Sequence, residues 1–138
     1  MIFLLDTNIT SELRKPKPHG AVVAWFFSQP PSAFAIPSVG IYETQVGIEV
    51  VRSQNPDKAT AIEAWLDELL KVSIVLPLDT AAARETAKLM RGKSLDLLED
   101  AMIAATAKVN GLTIATRNTG DFKNFSVPQV NPFLHPRS

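Results

Sequence analysis

Ile2-Phe3-Leu4-Leu5-Asp6-Thr7-Asn8 decides how this chain is read. Four apolar residues close on a carboxylate. An apolar run this short, bounded at once by polar residues, reads as a buried strand. In an open α/β sheet, ligands bind beyond the carboxyl ends of the strands. Asp6 therefore stands where a ligand-binding acid is expected, and the remaining sequence is read for the residues that meet it.

Working outward, Thr7 to Leu13 reads as a short helix with Thr7 as N-cap and Asp6 near its positive end. Arg14-Lys15-Pro16-Lys17-Pro18-His19-Gly20 breaks it, and Ala21 to Ser28 forms a second helix carrying Val22, Trp25 and Phe26. Ala33-Phe34-Ala35-Ile36 is a second strand, closed by Pro37. Ser38 is expected to cap a helix over Val39 to Arg52. Another follows from Ala59 to Lys71, with Ile62, Trp65, Leu66, Leu69 and Leu70 on one face. Trp25 and Trp65 are expected in the core. Ser73 to Leu76 is a third strand, and Asp79 caps a helix from Ala81 to Met90. A helix from Leu97 to Asn110 stops at Gly111. Leu112 to Thr116 is the fourth strand, Arg117 to Phe122 a turn-rich loop, and Val127 to Val130 a last short strand. The segment from about 131 is a Pro-rich tail, with Pro136-Arg137-Ser138 expected to be disordered. Strands alternating with helices predict an α/β fold, a parallel sheet of four to five strands covered by helices, as one domain over 1–138.

Composition narrows the chemistry. The 138 residues carry 14 basic and 14 acidic side chains, so no global field recruits nucleic acid, and any such site is a local patch. There is no Cys, and His occurs only at His19 and His135. A metal would need oxygen or His ligands, and the Cys-free composition fits a cytoplasmic protein. No signal-peptide pattern and no transmembrane-length apolar run occur, so no membrane is expected as partner.

Certain acids sit oddly. Glu43 shares a helical stripe with Val39, Val46, Gly47 and Val50, and Asp100 shares one with Ile103, Ala104 and Ala107. An acid on an apolar stripe is costly unless it is paired or binds a cation. Asp96 and Glu99 lie at a helix start, where the helix dipole alone favours them. The fourth strand ends in Thr116-Arg117-Asn118, with Asp121 shortly after. Strand ends of a parallel sheet share one edge, and helix residues beside those loops face the same crevice. Carboxylates without Cys or His select hard cations, Mg²⁺ or Mn²⁺, and such a site suits phosphodiester hydrolysis.

These residues resemble a known family. Asp6-Thr7-Asn8 with Ser11-Glu12, Glu43, Asp100 to Ala107, and Ala115-Thr116-Arg117-Asn118-Thr119-Gly120-Asp121-Phe122 resemble the PIN-domain ribonucleases, nearest to the VapC/FitB type of bacterial type II toxin. The resemblance runs along essentially the whole chain. It implies a three-layer α/β/α fold and a divalent metal held by Asp6, Glu43 and Asp100. Asn8 and Thr116 would support the site, with Asp96 as an accessory acid. Asn118 stands where many members have Asp, so either Asn118 or Asp121 would complete the acid set. The resemblance further implies cleavage of RNA, often tRNA, a homodimer, a cognate antitoxin, and contact with DNA only through that antitoxin.

Among basic residues, Arg14, Lys15, Lys17 and His19 cluster after the first helix, and Arg84, Lys88 and Arg91 form a stripe with Lys93 close by. Arg117, beside the strand end, is the residue expected to contact the RNA backbone. Two rival readings remain. One is a catalytically weak PIN domain serving as partner subunit of a DNA-bound regulatory complex, kept open by Asn118. The other is an aspartate-nucleophile phosphatase, disfavoured because Asn8 replaces the second Asp of that motif.

Overall fold

The computed structural model describes residues 1–136; Arg137 and Ser138, where disorder was expected, lie outside the described residues. Five strands form one sheet: β1 (Phe3–Leu5), β2 (Phe34–Pro37), β3 (Val75–Leu76), β4 (Thr113–Ala115) and β5 (Gln129–Val130). Their order is β3-β2-β1-β4-β5, with every pairing parallel. The quoted stretch is thus the central strand. The chain builds outward from β1 to β2 and β3, then returns to its other side for β4 and β5. The reversal falls between β1 and β4, the place where such sheets open a crevice.

Seven helices connect and cover the strands: α1 (Thr7–Arg14), α2 (Gly20–Phe27), α3 (Ser38–Arg52), α4 (Pro56–Val72), α5 (Thr80–Leu89), α6 (Leu98–Asn110) and α7 (Thr119–Phe122). Successive strand residues point to opposite faces, and the core divides accordingly. Leu4, Ala35 and Ile114 join α6 residues such as Ile103 and Ala104 in one cluster. Their neighbours Leu5, Phe34 and Ala115 join Ile9 of α1 with Val22 and Trp25 of α2 in another. Both faces are covered, which makes three layers. A third cluster, Ile48, Ala59 and Leu66, joins α3 to α4. No helix among the described residues is long and apolar enough to cross a membrane.

Local chemistry moves several expected boundaries. Asp6, not Thr7, caps α1, its Oδ1 accepting from the Thr7 N–H at 2.9 Å. Ser38 is the first helical residue of α3 behind Pro37, and its hydroxyl accepts from the Leu78 N–H at 3.1 Å, tying α3 to the end of β3. Asn55 caps α4 and Asp79 caps α5 through side-chain oxygens. Gly111, at φ 66°, supplies the left-handed turn that ends α6. The loop expected over Arg117 to Phe122 contains α7 instead.

The largest departure is on α3. Val39 is buried, but Val46 and Val50 are 46% and 58% exposed, and Gly47 is also exposed. A helix of 15 residues is about 22 Å long, whereas β2, of four residues, spans only about 13 Å. The C-terminal half of α3 instead turns Ile48 onto α4, and Val46, Gly47 and Val50 are left uncovered by the described residues.

Candidate functional site

Asp6 leaves β1 into the crevice between β1 and β4. Its backbone N–H donates to the Ala115 carbonyl at 3.0 Å, extending the β1–β4 pairing by one residue. The side chain is 8% exposed. Burying a carboxylate is costly unless donors replace the lost water, and here they do. Thr116 Oγ1 donates to Asp6 Oδ2 at 2.8 Å, Asn8 Nδ2 donates to the same oxygen at 3.2 Å, and the Thr7 N–H holds Oδ1. Thr116, fully buried just after β4, also accepts from the Asn118 N–H at 3.0 Å. Asn8 Oδ1 accepts from the Arg117 N–H at 3.2 Å. An amide serves here because one end donates to Asp6 while the other accepts from the loop; an Asp at position 8 would supply no donor.

Burial nevertheless raises the pKa of Asp6. The Thr116, Thr7 and Asn8 hydrogen bonds oppose that rise, and the negative charge of Asp121 adds to it.

Glu43 approaches from α3. The Thr7 hydroxyl donates to its Oε1 at 3.0 Å. Burial first, then a hydrogen bond shared with Glu99, lifts the Glu43 pKa to about 7, with the Thr7 hydroxyl pulling the other way and the Asp6 and Glu99 charges adding. Asp100, in the first turn of α6, is raised to about 6 by burial and then by the charges of Asp121, Asp6 and Glu99.

The structure therefore brings Asp6, Glu43, Asp100 and Asp121 into one electrostatic neighbourhood, on β1, α3, α6 and α7. Asn118 is exposed; it precedes α7 without a side-chain capping bond and reaches Thr116 through its backbone. Asp96 is exposed in a 3₁₀ turn, Leu95–Leu97, and is not among the charges that act on Asp6, Glu43 and Asp100. The charge of Glu99 does act on Glu43 and Asp100; in the sequence its only signal was adjacency to Asp100.

A hard divalent cation suits this donor set. It is all oxygen, and among the described residues neither Asp6, Glu43 nor Asp100 is in an ion pair. All three have raised pKa values, chiefly because burial disfavours the charged form, with the charges of neighbouring acids adding to it. Among the described residues, no three acidic or His side chains already stand at chelating distance of one point.

A second feature lies between α1, α2 and α4: an apolar trough of about 650 Å³ lined by Leu13, Phe26, Phe27, Trp65, Leu69 and Val72, among others. Phe27 and Val72 are 78% and 84% exposed. Trp25 is buried as expected, whereas Trp65 is only half-buried, on the trough wall and 5.9 Å from the Arg14 guanidinium.

Comparison with known proteins agrees with this architecture. The PIN-domain family model matches residues 3–127, and the chain belongs to that family. It is 32% identical to toxin FitB of Neisseria gonorrhoeae, covering 96% of this chain and 99% of FitB. It is 35% identical to the tRNA(fMet)-specific endonuclease VapC of Shigella flexneri, over 88% of this chain and 89% of that enzyme. Among solved structures, FitAB bound to an IR36 DNA fragment superposes with a TM-score of 0.83 at 30% identity, covering 98% of both chains. A toxin–antitoxin complex from Klebsiella pneumoniae gives 0.70 at 27% identity, covering 94% of this chain and 96% of that one.

Proposed function

We propose that this chain is a divalent-metal-dependent endoribonuclease, the toxin of a toxin–antitoxin pair acting in the cytoplasm. One observation carries the reading: carboxylates without cationic partners, Asp6 buried and Glu43 and Asp100 half-buried, converge at the switch point of a parallel sheet. Asp6, Glu43 and Asp100 would hold Mg²⁺ or Mn²⁺, with Asp121 as the fourth acid. Its charge acts on Asp6 and Asp100, which supports it over Asn118. A cation held there supplies an activated water, a clamp on the phosphate and stabilisation of the leaving oxygen. The protein's own part is to fix Asp6 through Thr116, Asn8 and Thr7, to hold Glu43 through Thr7, and to offer Arg117 to the RNA backbone. The name of the Shigella relative supports tRNA as the first substrate class to try.

Partners follow from the two uncovered apolar surfaces. Tyr42, Val46 and Val50 on α3 lie exposed on the same helix as Glu43, which supports a homodimer assembled beside the acids. The trough between α1, α2 and α4 is the surface we assign to an antitoxin, with DNA contacted only through it. The catalytically weak partner-subunit reading draws on the same trough and on Asn118. The phosphatase reading is disfavoured, because Asn8 stands where that motif has its second Asp.

The deciding experiment incubates the purified chain with total RNA, with and without Mn²⁺, beside Asp6→Asn and Asp100→Asn. Metal-dependent cleavage lost in both folded variants is expected. Equal cleavage by the variants, or cleavage indifferent to chelation, would refute the reading. No Mn²⁺ binding and no RNA loss at any metal concentration would favour the partner-subunit reading.

A further inference from the structure

The segment beyond β5 returns to the site. Asn131 caps a 3₁₀ turn, Pro132–Leu134, its Oδ1 accepting from the Phe133 N–H at 3.0 Å. Pro132 is buried and the turn packs on α2, so the backbone beneath Phe133 is fixed. The Phe133 ring meets two segments, the start of α2 and the loop that follows β4. Its centroid lies 5.0 Å from the His19 ring at an interplanar angle of 57°. The Arg117 guanidinium stands 4.5 Å from the same centroid.

Both neighbours are themselves tied down. The His19 N–H donates to Glu12 Oε2 at 3.0 Å, and its Nδ1 accepts from the Ala21 N–H at 3.2 Å. Arg117 follows directly on Thr116, and its N–H is held by Asn8 Oδ1. The backbone of Arg117 is thus fixed by the network that fixes Asp6, and Phe133 extends that control to the guanidinium. An exposed arginine otherwise samples many rotamers, and ordering it costs binding free energy. The guanidinium carbon stands over the ring face, where a cation is attracted by the ring and keeps N–H donors for a phosphate.

We propose that Phe133 is a positioning residue: its ring holds the Arg117 guanidinium beside the Asp6 end of the crevice, set to receive an RNA phosphate. This rests on the ribonuclease reading of the same site. A purely structural Phe133 would only fill space beside the α2 cluster, to which it also belongs.

The test uses the full chain and a short single-stranded oligoribonucleotide, with binding measured under chelation and cleavage measured with Mn²⁺. Phe133→Leu keeps an apolar side chain, Phe133→Tyr restores an aromatic face, and Arg117→Lys keeps the charge but loses the plane. In Phe133→Leu we expect RNA binding weaker by about two- to fivefold, the range of an exposed cation–π contact, KM raised to match, and kcat unchanged. Phe133→Tyr should restore both, and Arg117→Lys should show the same loss. In an Arg117→Ala background, Phe133→Leu should add nothing. Independently of RNA, the Arg117 Nε–H proton should be shifted upfield by the ring in the wild type, and not in Phe133→Leu. Unchanged KM and an unchanged Arg117 resonance in a folded Phe133→Leu variant would overturn the proposal while leaving the ribonuclease reading intact. A Phe133→Leu loss that persists in full without Arg117 would overturn it too. If the wild type neither binds nor cleaves RNA, the reading beneath it fails, and the proposal falls with it.

Discussion

Two corners of the acid cluster are built differently. At the β1–β4 corner, Asp6 is nearly enclosed and its oxygens are met by neutral donors from Thr116, Asn8 and Thr7. At the α3–α6 corner, Glu43 has one hydroxyl from Thr7 and otherwise faces another carboxyl, Glu99. The pairing of β1 with β4 brings Asp6 beside the Thr116 hydroxyl, and the turn into α1 adds the donors of Thr7 and Asn8. Glu43 reaches in from α3, where the Thr7 hydroxyl is its one hydrogen-bond donor among the described residues. The first carboxylate is held from several directions and the second from one.

The sharpest way to break the contrast is to remove the anchored charge. Asp6→Asn should lower RNA cleavage by more than the ~10–100-fold that supporting partners of a metal ligand command, with melting temperature retained. Cleavage within a few-fold of wild type would mean that Asp6 is not a ligand. Thr116→Val deletes the hydroxyl that donates to Asp6 and accepts from the Asn118 N–H. It should cost about 1–3 kcal/mol of stability, because Asp6 Oδ2 and the Asn118 N–H both lose a buried partner. Mn²⁺ affinity should fall about tenfold. Chemical denaturation and metal titration measure the two effects, and no change in either would show that Asp6 is held by other means.

The second corner is tested by pH. Glu43 carries a pKa lifted to about 7, so in metal-free protein it binds a proton over a range where the unfolded chain has released it. Its contribution to stability is fully present below the unfolded value of about 4.3 and is lost as pH rises through about 7. Melting temperature in chelator should therefore fall across that window by more in wild type than in Glu43→Gln. Saturating Mn²⁺ should remove the difference. Parallel curves with and without metal would mean that no cation engages Glu43.

Glu12 gives the opposite sign and the smallest effect. It is buried, and its pKa is lowered, chiefly by the Lys15 ammonium at 2.9 Å, with burial opposing and the His19 N–H assisting. Its stabilisation is present above about pH 4.3 and fades as pH falls through its folded value. Glu12→Gln should cost about 1 kcal/mol at neutral pH, because Lys15 is largely exposed. The cost should shrink in acid. A cost that grew with falling pH would reverse the assignment.

Much of this was legible in the sequence because it is local. Strands were marked by short apolar runs, and Asp6 and Asp100 by carboxylates where such runs end or where an apolar helix begins. Glu43 was found on the right stripe for the wrong reason, since Val46, Gly47 and Val50 of that stripe are left uncovered by the described residues. Asn8 and Thr116 entered only through the family resemblance. The bond that explains Thr116 joins residues 110 apart in sequence, a contact no local pattern encodes. Glu99 was hidden because an acid at a helix start already has a sufficient cause. Phe133 was hidden in what read as a Pro-rich tail, where its ring contacts depend on tertiary folding alone.

The placement of β1 has a consequence in the order of synthesis. The central strand leaves the ribosome well before β4, its partner on the crevice side, and Thr116 follows Asp6 by 110 residues. Until that stretch has emerged, Asp6 lacks the hydroxyl that orients it. Helices α1 to α6 and strands β2 to β4 are made in the interval. Of the three donors that meet the Asp6 carboxylate, those of Thr7 and Asn8 are synthesised at once, and the Thr116 hydroxyl comes only after nearly the whole scaffold.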